Sequence, residues 1–165
     1  ELGVPTHTAE ELAFADQLSA TYPGSDLVPG VGSQYDLDYA DQVRALRTEA
    51  GHAMNDFLMP LYQGDAFEPG STDVGDVSWQ CPTAQIHVAT WPNGCPGHSW
   101  QNVSCGRTDI GHKAALHAGK VLAAAAIDLL TDPALLEEAK TEFQRRTAAG
   151  YTCPIPADAV PTIAD

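Results

Sequence analysis

Residues 111–130, GHKAALHAGKVLAAAAIDLL, constrain this chain more than any other segment. The run is rich in Ala and Leu, lacks Pro, and reads as one helix about 30 Å long at 1.5 Å per residue. His117, Lys120 and Asp128 interrupt its apolar character, so the reading is a helix of a folded domain and not a membrane span. Asp132-Pro133 then supplies an N-cap followed by Pro at the first helical position. A second helix is expected over 133–148, with Glu137 and Glu138 early and Arg145 and Arg146 late, as the helix dipole favours. The C-terminal third is therefore helical.

Upstream the signals are mixed. Thr8 stands three residues before Glu11, a capping-box spacing, and opens a helix over 8–19 that Tyr22-Pro23-Gly24 closes. Residues 23–36 read as loop. A weaker helical pattern covers 39–50, with Val43 and Leu46 inward and Gly51 as the stop. Residues 56–69 fit short strands or loop equally. Residues 70–78 read as a loop leading into a short helix. Residues 84–91 alternate and are β-prone, which makes them the best strand. Residues 92–109, rich in Pro, Gly and Cys, read as one long loop, a kind of segment that is often functional. Two or three strands are few for a self-contained α/β domain, because a small sheet needs further strands to pair with.

The 165 residues suffice for one domain, and 44% hydrophobic content is globular. With 22 acidic against 8 basic residues the net charge is −14. Such a surface repels phosphate backbones and anionic membranes, so neither nucleic acid nor a membrane is an expected partner. No signal peptide is evident, and the chain opens on Glu1 rather than Met. That start fits a processing site, an expression boundary or a break in a longer polypeptide. Cys81, Cys95, Cys105 and Cys153 include no CxxC pair, so the reading is four reduced thiols in a cytosolic protein.

Of the six histidines, His112 and His117 lie five apart and do not form a helical i, i+4 metal pair. His87 falls in the expected strand and reads as a sheet residue. His98, in Pro96-Gly97-His98-Ser99-Trp100, lies in the long loop beside the expected sheet end, where α/β proteins place ligand sites. A neutral imidazole there suits zinc or manganese. In the run from Gly70 to Asp76, Ser71 and Thr72 offer hydroxyls, and Asp73 or Asp76 could orient a metal-bound His. The same run also reads as an ordinary helix-capping turn.

Four ordered stretches, GSTDVGDVSW (70–79), PGHSWQ (96–101), GHKAALHAGKVLAAAAIDLLTDPALLEEAK (111–140) and YTCPIP (151–156), resemble the aminobenzoyl-glutamate utilization protein B group. That group belongs to the aminoacylase/carboxypeptidase G superfamily of metallopeptidases. The opening GVPTHTAEELAFAD also looks like the point where that family's chain returns from its lid domain. The resemblance implies an α/β fold: residues 1–165 as the C-terminal part of a mixed-sheet catalytic domain with flanking helices, lid domain absent. It implies hydrolysis of the amide bond of N-acyl amino acids or small dipeptides by a metal-activated water and a Glu base, with one or two zinc or manganese ions. His98 matches the family's last metal ligand. Ser71, Thr72, Asp73 and His112 become substrate-binding candidates. No catalytic base falls in this chain, because the family's remaining ligands and Glu precede it. The chain alone is then inactive and needs the N-terminal half of the enzyme or a companion chain. An exposed apolar face and an unpaired strand edge would favour oligomers. Two other readings remain: a non-catalytic binding or regulatory domain derived from the family, and an unrelated acidic disulfide protein.

Overall fold

A computed structural model describes residues 2–24, 37–62 and 72–160. Within them lie six helices: α1 (Ala9–Ser19), α2 (Leu37–Ala50), α3 (Val74–Ser78), α4 (Trp100–Gly106), α5 (Asp109–Thr131) and α6 (Pro133–Arg146). The chain divides into two compact units, Glu1–Gly70 with Ile86–Ala125, and Ser71–Gln85 with Ala126–Asp165.

The expected α/β mixed sheet is not present: among the described residues there is no β-strand. Residues 84–90 form neither helix nor strand, and residues 84–87 are exposed. Alternation and β-propensity describe how a segment fits a ladder, but a ladder needs a second strand to take up its N–H and C=O groups. Here none adjoins it. The long loop expected over 92–109 is also shorter than expected, since α4 and the start of α5 form within it.

Helix ends follow local chemistry. At α1 the Thr8 hydroxyl accepts from the Glu11 amide (3.3 Å) and the Thr8 amide donates to Glu11 Oε2 (2.7 Å), so the capping box forms as expected. Gly51, at φ +71°, ends α2 with its amide on the Arg47 carbonyl (3.2 Å). Asp132 Oδ1 accepts from the Ala134 and Leu135 amides at 2.9 and 3.3 Å, with Pro133 at the first position of α6.

The first unit holds two small cores. Ala15 from α1, Met54 and Ile110 from α5 are buried together, with Leu12, Phe14 and Ala89 around them. Tyr39, Ala40 and Val43 of α2 form the other, with Met59 and Tyr62, and the Tyr39 and Tyr62 rings meet tilted at 5.2 Å. Val43 is inward as expected, while Leu46 is only half-buried. Where α4 meets α5, Gly111 allows close approach: a Cβ there would stand 2.9 Å from the Cys105 carbonyl oxygen. No described residue of the second unit is buried, and its aromatic contact is the stacked Trp79–Tyr151 pair at 5.2 Å.

By length and composition alone α5 is long and apolar enough to cross a membrane: it has 23 residues, and its most apolar 18-residue stretch has a mean hydropathy of 1.4. It reaches that level although it contains His117, Lys120 and Asp128.

Candidate functional site

His98 sits at the end of a loop tied down from several directions. The Tyr22 hydroxyl, just past α1, faces the carbonyls of Pro92 (3.4 Å) and Asn93 (3.0 Å). The Asn93 amide donates to the Ala53 carbonyl (2.8 Å), and the Cys95 amide to the Pro92 carbonyl (3.1 Å). Gln101, buried in α4, donates from Nε2 to Thr21 Oγ1 (3.2 Å). Ser99 Oγ accepts from the Asn102 amide (3.2 Å), capping α4, and donates to the Pro96 carbonyl (2.7 Å).

Inside this frame His98 adopts φ +54°, and it is the one non-glycine described residue with positive φ. A left-handed residue bearing a Cβ costs about 1–2 kcal/mol, although histidine tolerates the region better than most. Such strain persists only where surrounding bonds enforce it, and it gathers at functional positions. The imidazole is exposed and free of hydrogen bonds to other described residues. It is available to a ligand from outside.

The loop's lining is electrically quiet. Burial pushes Tyr22 up to about 12, with the Cys95 and Cys105 thiols adding to the shift. Burial likewise raises the Cys105 thiol to about 11, and Cys95 is raised for the same reason. All three stay neutral at pH 7. All four cysteines are free thiols, with Cys81 and Cys153 exposed.

The other expected residues are placed as follows. His112 is exposed in the first turn of α5, its Nδ1 3.5 Å from Asp109 Oδ1. Thr72 and Asp73 belong to the second unit. There Thr72 Oγ1 accepts from the Val74 amide (3.3 Å), and Asp73 takes the N-cap position of α3 without a side-chain capping bond. In the helix-capping turn that the sequence also allowed, with Ser71 or Thr72 as the cap, the cap position thus falls to Asp73 and not to Thr72. Ser71 lies outside the described residues. His98 and His112 share the first unit, but no His, Cys, Asp or Glu trio among the described residues is grouped to hold a metal. A catalytic zinc site uses about three protein ligands. These residues do not by themselves fit such an ion.

Sequence reasoning missed two polar features of the first unit. Tyr22 and Gln101 position the His98 loop, yet Tyr22 reads locally as a helix terminator. His7 is the other: its side chain is 2% exposed, with Nδ1 3.6 Å from Glu11 Oε2 and no hydrogen-bond partner. Glu11 Oε2 also accepts from Lys113 Nζ of α5 (2.8 Å), which donates to the Thr6 carbonyl as well (3.1 Å). Lys113 is the foremost cause that holds the Glu11 carboxyl below its ordinary range. This cluster ties the chain's first residues to α5.

Comparison with known proteins gives one curated match. The chain is similar to a subunit of p-aminobenzoyl-glutamate hydrolase. The match, to the protein of Escherichia coli strain K12, is 39% identical over 162 residues, 97% of this chain. It bears out the resemblance carried by the four sequence motifs. The chain spans about a third of that relative's length (34%). No family model and no solved structure matches the chain.

Proposed function

We propose that this chain is the C-terminal part of an amidohydrolase of the p-aminobenzoyl-glutamate hydrolase kind. Its substrate is a small N-acyl amino acid, p-aminobenzoyl-glutamate or a similar amide or dipeptide, and the reaction is hydrolysis of the amide bond. The observation that carries this reading is 39% identity over nearly the whole chain to a protein bearing that name. The strained, exposed His98 supports it, because a free imidazole held at φ +54° suits a ligand to something outside the chain.

In this reading His98 is one ligand of a zinc or manganese site whose other ligands, and the general base, lie beyond these residues. The metal would supply Lewis-acid activation of water. The chain's own part is positioning: Tyr22, Gln101 and Ser99 hold the loop backbone on either side of His98. Thr72, Asp73, Ser71 and His112 are the proposed substrate-side residues. The chain alone does not hydrolyse the substrate. It works with the remaining part of the enzyme and with a companion chain, as the relative's designation as one subunit of a hydrolase suggests.

The test exchanges the matched segment of the Escherichia coli relative for this chain and expresses the product with its companion chain. Release of p-aminobenzoate is followed beside metal content. The exchange protein is expected to hydrolyse the amide. His98→Ala is expected to lower the rate by about a hundredfold or more and to reduce bound metal. Full activity and full metal in His98→Ala would refute the assignment. A folded but inactive exchange protein, beside an active parent, would favour a non-catalytic binding domain.

A further inference from the structure

Helix α5 carries apolar residues on two sides, yet within the first unit only one of them is covered. At 100° per residue, Ile110, Ala114, Ala118, Val121 and Ala124 fall on one side, and all are buried or half-buried. Leu116 and Leu122 fall elsewhere and are 69% and 58% exposed. Between them runs a trough of exposed small residues, Ala115, Gly119 and Ala123, with the exposed His112 at its start. This uncovered arc spans about a third of the circumference. A surface helix of a finished globular domain would carry mostly charged and polar residues there. An exposed apolar face of this kind marks a contact with another body.

We infer that this outer face of α5 is the docking surface for the remaining two thirds of the hydrolase. The inference rests on the proposed function. Three observations select that occupant. The relative matched along 97% of this chain is about three times as long, so a polypeptide of sufficient size accompanies this segment there. The small-residue trough admits close approach of a protein backbone between Leu116 and Leu122, which lipid chains do not require. A membrane is the poorer fit: α5 carries Lys113, Lys120 and Asp128, and the chain's net charge of −14 repels anionic headgroups.

The experiment uses both the isolated chain and the exchange protein described above. Ala123→Cys is introduced in each, and maleimide labelling of that position is followed by peptide mapping. Labelling is expected to be fast in the isolated chain and slower by about tenfold or more in the exchange protein. Equal rates in a soluble exchange protein would overturn the inference, even if the protein is active, and the functional reading would then stand without it. Slow labelling in an inactive exchange protein would sink the functional reading and keep the docking surface. The isolated chain gives a second, independent reading. Leu116→Glu with Leu122→Glu is expected to leave its unfolding temperature within about 2 °C, since the face contributes nothing to this chain's own core. A large drop would show that the face is used internally and refute the proposal. Flotation of the wild-type chain, but not this variant, with phosphatidylcholine vesicles would assign the face to a membrane and refute it equally.

Discussion

Gly111→Ala sets two effects of opposite sign against each other. Gly111 lies in the first turn of α5, where alanine should favour the helix by up to about 1 kcal/mol. The added methyl, however, would meet the Cys105 carbonyl oxygen at 2.9 Å, Gly106 Cα at 3.1 Å and Gly106 C at 3.3 Å. All three are backbone atoms at the end of α4, so no side chain can swing aside. Relief requires moving α4 from α5 by a few tenths of an ångström. Cys105 and Ile110 flank the contact and are both 0% exposed, so such a shift loosens the first unit's core. Overpacking of this kind costs about 1–3 kcal/mol, so the net expectation is a loss of up to about 2 kcal/mol. Thermal unfolding followed by circular dichroism should fall by up to roughly 8 °C. Gly119→Ala is the internal control: nothing lies within 4 Å of its added Cβ, so propensity acts alone and stability should rise by about 1 kcal/mol. If Gly111→Ala raises the unfolding temperature as Gly119→Ala does, the close approach of α4 and α5 is wrong.

Three further expectations follow from the same unit and its loops. His98→Gly removes the left-handed strain of about 1–2 kcal/mol at the expense of unfolded-state entropy, and should stabilise the isolated chain by about 0.5–1 kcal/mol; destabilisation in urea melts would show that His98 is not strained. At pH 8, maleimide should label exposed Cys81 and Cys153 first and Cys105 last, because Cys105 is 0% exposed and its thiol is raised to about 11; early modification of Cys105 in the folded chain would contradict its burial. Lys113→Met should cost about 1 kcal/mol at pH 7. The depressed Glu11 carboxyl makes that contribution full above its ordinary value near 4.5 and lost as pH falls through the lower folded value, so the gap between variant and wild type should close in acid; a gap independent of pH would remove the Glu11–Lys113 pair from the account.

The candidate site was legible in part. His98 stood out in the sequence through its Pro-Gly-His-Ser-Trp setting and the family resemblance, and the structure adds the left-handed backbone and the ties that impose it. Those ties come from Tyr22, Ala53 and Thr21, between 40 and 80 residues away along the chain, and no local pattern announces them. The Gly70–Asp76 run carried two meanings in sequence; in the structure Asp73 stands at the N-cap of α3, and the Thr72 hydroxyl beside it accepts from the Val74 amide.

Helix ends were set by the sequence alone, because their chemistry is local. Thr8 with Glu11, Gly51, and Asp132 with Pro133 each satisfy or terminate backbone bonds within a few residues, so α1, α2 and α6 begin or end where their capping residues stand. Residues 84–91 show the opposite case. Their alternation is equally clear, but a strand exists only against a partner, and none is at hand among the described residues. Burial divides in the same way. The sequence made α5 long and apolar, whereas only the tertiary structure decided that Ile110 and Ala114 enter a core while Leu116, Leu122 and Leu130 face outward. Hydrophobic pattern states which side chains favour burial, and contact with the rest of a folded protein determines which of them are buried.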